Sequence, residues 1–386
     1  MKQVRVLIIL LTCFVGVSGF VFHLNAASAS SVRSVGGINN TPPVAVNDTY
    51  QAEVNTPLSI PATGVLSNDS DEDERLYTVS GGGNDDQLRI VDPYSATTMA
   101  AITMTLAGFT VERGLGLATH PQTGELYAIL RLNGQTGRQL VMINPATGVA
   151  TNIGNLGDQF AGITFATDGT LYGVTGDGAT ISETLFIIDT ETATPTLLLP
   201  LGNGDDGETI AYNPDDGLLY HASGHSGPCT SNDLSSCVVF EKIDLTPPYT
   251  ITNIPISDTA LINEEAQALV YWPAISGFLW KQNHGIGPLF QVTIVQTPTL
   301  IGEMDHQAKG LAFAGDPLTA VLDDAPAMGD LVLNPDGSFV YTPTLDFVGT
   351  ITFTYHANDR WSDSNVATVT IHVGVRYLYL PVILKP

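Results

Sequence analysis

An all-β fold follows from three features of this 386-residue chain: its composition, a repeat in its middle, and turn-rich segments on either side. Gly 38 and Pro 23 together are about one residue in six, alongside much Thr, Val and Asp. That palette suits short strands and tight turns, not long helices. With 44% hydrophobic and only 14% charged residues, the chain is too apolar to be wholly disordered. Fourteen Lys and Arg stand against 39 Asp and Glu, a formal net charge of −25. Such a surface repels phosphate, which excludes nucleic acid as a partner.

The repeat is marked by Leu76-Tyr77, Leu126-Tyr127, Leu171-Tyr172, Leu219-Tyr220 and Leu279-Trp280, at intervals of 50, 45, 48 and 60. A short apolar run precedes four of these pairs: Gly114–Leu117, Gly162–Phe165, Thr209–Tyr212 and Ala268–Tyr271. Turns such as Pro121-Gln122-Thr123-Gly124 and Asp168-Gly169 separate run from pair. Alternating strands follow, for example Leu140–Asn144 and Leu185–Asp189. Four strands in 45 to 50 residues is the arithmetic of a β-propeller blade. A fifth copy of the first strand, Gly310–Phe313, stands at the far end, and its three missing partners stand at the start, around Leu76–Ser80, Gln87–Asp92 and Ala100–Leu106. A blade built from both ends would close the ring, whereas an open twisted array would expose edge strands and invite aggregation. Five blades is the expected count, with six as the alternative.

Closure would bring residues 75 and 315 together, as an insertion into a host loop requires. The flanks carry Pro42-Pro43-Val44-Ala45-Val46-Asn47-Asp48, Gly64–Asp73, Asp316-Pro317-Leu318-Thr319 and Asn334-Pro335-Asp336-Gly337-Ser338-Phe339. Phe353–Asp359 and Ser362–Val369 complete the series. Together these segments resemble one bacterial cadherin-like, immunoglobulin-type repeat of surface adhesins. The resemblance implies a discontinuous β-sandwich from residues 42–75 and 316–374, with residues 76–315 inserted as the propeller. It also implies a secreted or cell-surface adhesion protein whose partner is an extracellular or cell-surface polymer or protein.

The first 29 residues read as a secretory signal. Lys2 and Arg5 precede an apolar run from Val6 to Phe22, and Ala27-Ser28-Ala29 offers a cleavage site. An uncleaved anchor is the alternative; after cleavage no transmembrane segment is expected. Residues 30–41 read as a linker and 375–386 as an apolar tail. Cys229 and Cys237 are the cysteines left after cleavage, and in an exported chain their spacing favours a disulfide over a metal site.

Calcium is the expected cofactor. Asp69, Asp71 and Asp73 alternate along an acidic loop, and hard oxygen donors suit Ca²⁺. Asp316, Asp359 and Asp363 are the further candidate ligands. The resemblance implies calcium in such loops, although Glu74 and Arg360 replace its usual glycines. A solvated acidic loop is the competing interpretation.

The expected ligand-binding surface is the rim of the propeller's central channel, where polar groups of different repeats meet. Aligning the first strands places Arg113, Glu208, Gln267 and Lys309 one residue before them, and Gln159, Asp206, Glu265 and Gln307 three residues before. No G-x-S-x-G, H-E-x-x-H or phosphate-loop motif is present, so a binding protein is preferred to an enzyme. The alternative is an extracellular propeller hydrolase or lyase acting on polysaccharide or a small metabolite, with Asp206, Glu208 and Glu265 as its acids.

Overall fold

A computed structural model describes residues 40–71, 73–201, 209–224, 238–256, 261, 265–282, 285–293, 298–315 and 318–374. Cys229, Cys237, Asp206, Glu208 and Asp316 lie outside these residues, as do the signal segment and the tail. The described structure is all-β, a propeller ring joined to a β-sandwich, with only short helical turns such as Gly64–Asn68 and Pro273–Ile275. Among the described residues no helix is long and apolar enough to cross a membrane.

Three ring sheets are simple antiparallel meanders in chain order. One runs Phe160–Phe165, Leu171–Thr175, Thr184–Ile188, Pro195–Pro200. The next is Thr209–Asn213, Leu218–Ala222, Phe240–Asp244, Thr250–Asn253. The third is Ala266–Trp272, Gly277–Gln282, Gly287–Val292, Thr299–Met304. Ahead of them stands a sheet of Val111–Thr119, Leu126–Leu132, Gln139–Ile143 and Val149–Asn155, to which Thr105–Leu106 adds a short parallel edge. The sequence places residue 106 at the end of the preceding sheet's strand; instead Thr103 ends that strand, and the chain crosses to the neighbouring edge.

The remaining sheet is made from both ends of the repeat region. Ala308–Gly315 pairs antiparallel with Glu74–Ser80, which continues to Gln87–Val91 and Thr98–Thr103. First strands touch their neighbours in a cycle, with Ala308–Gly315 packed between Ala266–Trp272 and Val111–Thr119. Second strands are sandwiched between sheets, so they are apolar on both faces instead of alternating. Leu126–Leu132 is buried at all but one position, and Leu76, Tyr77, Leu279 and Trp280 are wholly buried. The Leu-aromatic pair thus marks where a strand enters the space between two sheets.

The sandwich obeys the other pattern. Gly349–Asn358 buries Ile351, Phe353, Tyr355 and Ala357 and turns the intervening residues outward, the period of a sheet with one wet face. It pairs with Ala367–Val373 on one side and Thr319–Asp324 on the other. Asp48–Ala52 adds a parallel edge to Ala367–Val373. The second sheet is Leu58–Ile60, Phe339–Thr342 and Asp330–Leu333. Asn334–Gly337 makes the hairpin turn, with Gly337 at φ 81° and its N–H donating to Asn334 O at 3.0 Å. One core holds Ala45 and Val65 from before the ring with Phe339, Phe353 and Ile371 from after it. Burying each such large side chain contributes about 1.5–3 kcal/mol.

Candidate functional site: a cationic cavity at the ring centre

The first strands converge on the ring axis, and their two ends differ. At the far end, equivalent positions carry Leu117, Phe165, Tyr212, Tyr271 and Phe313, which line an apolar hollow of about 200 Å³. At the near end lies a larger cavity of about 450 Å³, built by three neighbouring sheets. Its charged lining is Arg113, Arg131, Arg138, Lys309 and Asp177. Gln159 and Gln307 add amide groups, and Gly81 and Gly176 bring the backbone close.

Strand register explains the arginines. Arg113 on Val111–Thr119 stands directly opposite Arg131 on Leu126–Leu132. Leu130 pairs with Gln139, so Arg138 continues the row one position beyond the paired residues of the third strand. Three guanidiniums therefore cross one sheet side by side, an arrangement that costs energy because like charges face each other. Only part of it is offset. Glu112 Oε2 lies 2.8 Å from Arg131 Nε, and Arg113 Nη1 donates to Gly81 O at 3.0 Å. The buried Nε atoms of Arg113 and Arg138 have no hydrogen-bond partner among the described residues. Burial, followed by the charges of Arg131 and Arg113, pushes Arg138 down to about 10. Burial and Arg131 likewise lower Arg113.

Of the residues expected at the rim, Arg113, Gln159, Gln307 and Lys309 do line this one cavity. Glu265 lies beside it, 3.5 Å from Lys309 Nζ through Oε1. Gln267 is 1% exposed and lines neither hollow; its amide has no hydrogen-bond partner among the described residues. Arg131, Arg138 and Asp177 are not singled out by the repeat alignment, which reads first strands only. Their sequence signal is the pair of arginines bracketing the Asn133-Gly134 to Gly137 turn, where a hairpin returns both to one end of the sheet.

The acidic loop of the sandwich separates into two groups. Carboxylate oxygens of Asp71, Asp73 and Asp359 all lie within 4.8 Å of one another. Asp71 Oδ2 is buried and has no hydrogen-bond partner among the described residues. Burial first, then the charges of Asp73 and Asp359, raises Asp71, while the Asp73 N–H works against that rise. An all-carboxylate set with one unsatisfied oxygen fits a hard cation such as Ca²⁺. Asp359 is already engaged, accepting from Trp361 N at 2.7 Å and Asn40 Nδ2 at 2.8 Å. Arg75 approaches Asp73 at 3.4 Å and lies over the Trp361 ring.

Asp69 and Asp363 stand apart from the trio. Asp69 Oδ1 accepts from Val46 N at 2.8 Å, and its oxygens lie 3.0 and 3.1 Å from the Tyr355 hydroxyl. That hydroxyl is 2.7 Å from Val65 O and 3.3 Å from Asp48 Oδ2. Burial chiefly, with help from Asp69, pushes Asp48 up to about 6. Asp363 accepts from Asn358 Nδ2 at 2.7 Å and lies 3.3 Å from His356 Nε2.

Residues 291–374 match the family model of a bacterial cadherin-like domain. The match begins inside the ring, since residues 299–304 and 308–315 are paired there. No curated protein matches the chain. Solved structures similar to it include a chain of the nidogen/laminin complex, 9% identical with a TM-score of 0.41, covering 77% of this chain and 98% of that one. TolB from Acinetobacter baumannii is 11% identical with a TM-score of 0.42, covering 79% and 69%. An exo-β-1,3-galactanase from Phanerochaete chrysosporium is 11% identical with a TM-score of 0.38, covering 81% of each chain. Identities this low say nothing of activity.

Proposed function

We propose that this chain is a secreted or cell-surface bacterial interaction protein. In this reading a five-bladed propeller, inserted between residues 75 and 316 of a cadherin-like sandwich, presents its cationic cavity as a binding face. The observation that supports it is the cavity of about 450 Å³ lined from three sheets, within the size range of small-ligand sites. Its polar groups converge from separate repeats, and the nearby Glu265 is held by Lys309. The family match over residues 291–374 supports the adhesive setting.

The test is retention of bacterial surface polysaccharide by the immobilised chain, with polymer length measured before and after. Retained polymer of unchanged length is expected. Shortened polymer that is not retained would overturn the reading in favour of an enzyme.

Calcium belongs to the same proposal as a stiffener of the sandwich. Asp71, Asp73 and Asp359 would hold it, and the cation would offset the mutual repulsion of their carboxylates. Millimolar Ca²⁺ should raise the melting temperature, and Asp71→Asn should abolish the rise. Identical melting curves in Ca²⁺ and in chelator would remove the cation from the scheme.

A further inference from the structure

We infer that the ring-centre cavity takes a hydroxylated carboxylate, a sugar acid bearing one negative charge. This rests on the cavity being a binding site and names the chemistry that would fill it. The lining holds four of the chain's 14 cationic residues, although the protein as a whole carries a net charge of −25. Against these four stand three carboxylates: Asp177 in the lining, Glu112 on Arg131 and Glu265 on Lys309. These seven groups together leave one positive charge, and one carboxylate would neutralise it.

The shape of the cationic group points the same way. Guanidiniums present paired N–H donors in a planar fork that matches a carboxylate, and Arg113 and Arg138 each keep a buried Nε–H with no acceptor among the described residues. The repulsion between Arg113, Arg131 and Arg138 is relieved once an anion sits among them; it adds to the burial that lowers the affinity of Arg138 for its proton. The side-chain amides of Gln159 and Gln307 supply donors and acceptors for hydroxyl groups. A long polyanion is disfavoured, because a protein of net charge −25 repels the charges that a single cationic cavity cannot take up. The carboxylate can belong to a free sugar acid or to the acidic end of an otherwise neutral glycan.

Calorimetric titration of the full chain at low salt tests this. The probes are D-glucuronate, its methyl ester, D-glucose, inorganic sulfate and a neutral oligosaccharide ending in glucuronic acid. Glucuronate is expected to bind about tenfold or more tighter than the ester and glucose, and tighter than sulfate. Arg138→Gln and Arg113→Gln should each weaken it about tenfold, whereas Arg360→Gln, outside the cavity, should not. Circular dichroism melts check that each variant folds. Tighter binding of the oligosaccharide than of free glucuronate assigns the carboxylate to a glycan end; the reverse assigns it to a small metabolite. Equal binding of acid and ester, preference for sulfate, no binding of any acid, or indifference to Arg138→Gln would each overturn the inference. Retention of a neutral polymer undiminished by Arg138→Gln would do so while leaving the interaction reading standing.

Discussion

Within the ring, hydrogen-bonded strands are mostly consecutive in the chain, whereas the sandwich assembles its sheets from residues on both sides of the ring. Phe160–Phe165 through Pro195–Pro200 form a sheet within about 40 residues. Asp48–Ala52, by contrast, must find Ala367–Val373, more than 300 residues away. The ring has one such long-range step, the pairing of Ala308–Gly315 with Glu74–Ser80. That step also shortens the path between the halves of the sandwich, because loop-closure entropy for a long chain is spent once. The two regions should therefore depend on each other unequally. Opening the ring should loosen the sandwich, and disrupting the sandwich should leave most of the ring intact.

Gly310→Val should have the largest effect. A Cβ at Gly310 would lie 2.7 Å from Leu117 N and 2.9 Å from Gly116 C, backbone atoms of the neighbouring sheet that cannot turn aside. A loss of about 3 kcal/mol is expected, by urea unfolding. Hydrogen exchange should quicken at Phe353 and Ile371 in the sandwich as well as in the closing sheet. Sandwich amides that stay fully protected would break the argument for unequal dependence.

Gly337→Ala probes the opposite direction. Gly337 has φ 81°, and a Cβ there would lie 2.0 Å from Thr63 O, across the contact that joins the segments before and after the ring. About 2 kcal/mol of sandwich stability should be lost. Exchange in Phe160–Phe165 and Leu171–Thr175 should be unchanged. Equal loss of protection in the ring would show the two regions to be one cooperative unit.

A smaller effect sharpens the electrostatic side. Asp48 rises from 3.8 to about 6 in the folded sandwich, so the folded state holds this proton more tightly than the unfolded chain. Its contribution to stability is full below pH 3.8 and is lost as pH rises through about 6. Asp48→Asn removes that loss. Relative to the unsubstituted protein, the variant should gain stability between pH 4 and 6, on the order of 1 kcal/mol after solvent screening. A stability difference that does not change with pH would show that Asp48 does not titrate in this range.

What could be read in advance follows the reach of the interactions involved. The Leu-aromatic pairs, the Asp-Gly and Pro-Asp-Gly turns and the alternation of Gly349–Asn358 are set by neighbours within a few residues. They were legible because turn chemistry and burial period leave local marks. Gly310–Phe313 could be matched to the start of the chain because a repeat lacking its partners implies them. Arg113, Gln159, Gln307 and Lys309 were placed at one end of the ring by the same alignment.

Tertiary structure decided which further charges join Arg113 and Lys309 and which acids part company. Arg131 and Arg138 join Arg113 through hairpin register, and a shift of one residue would turn them to the other face. Asp69 leaves Asp71 and Asp73 for Tyr355, a residue more than 280 positions away, while Asp359 takes its place beside them. Composition and period therefore determined an acidic, all-β chain of repeats between two turn-rich flanks. The cationic cavity arose only when three sheets met at the ring axis, because packing, not sequence distance, brings like charges together.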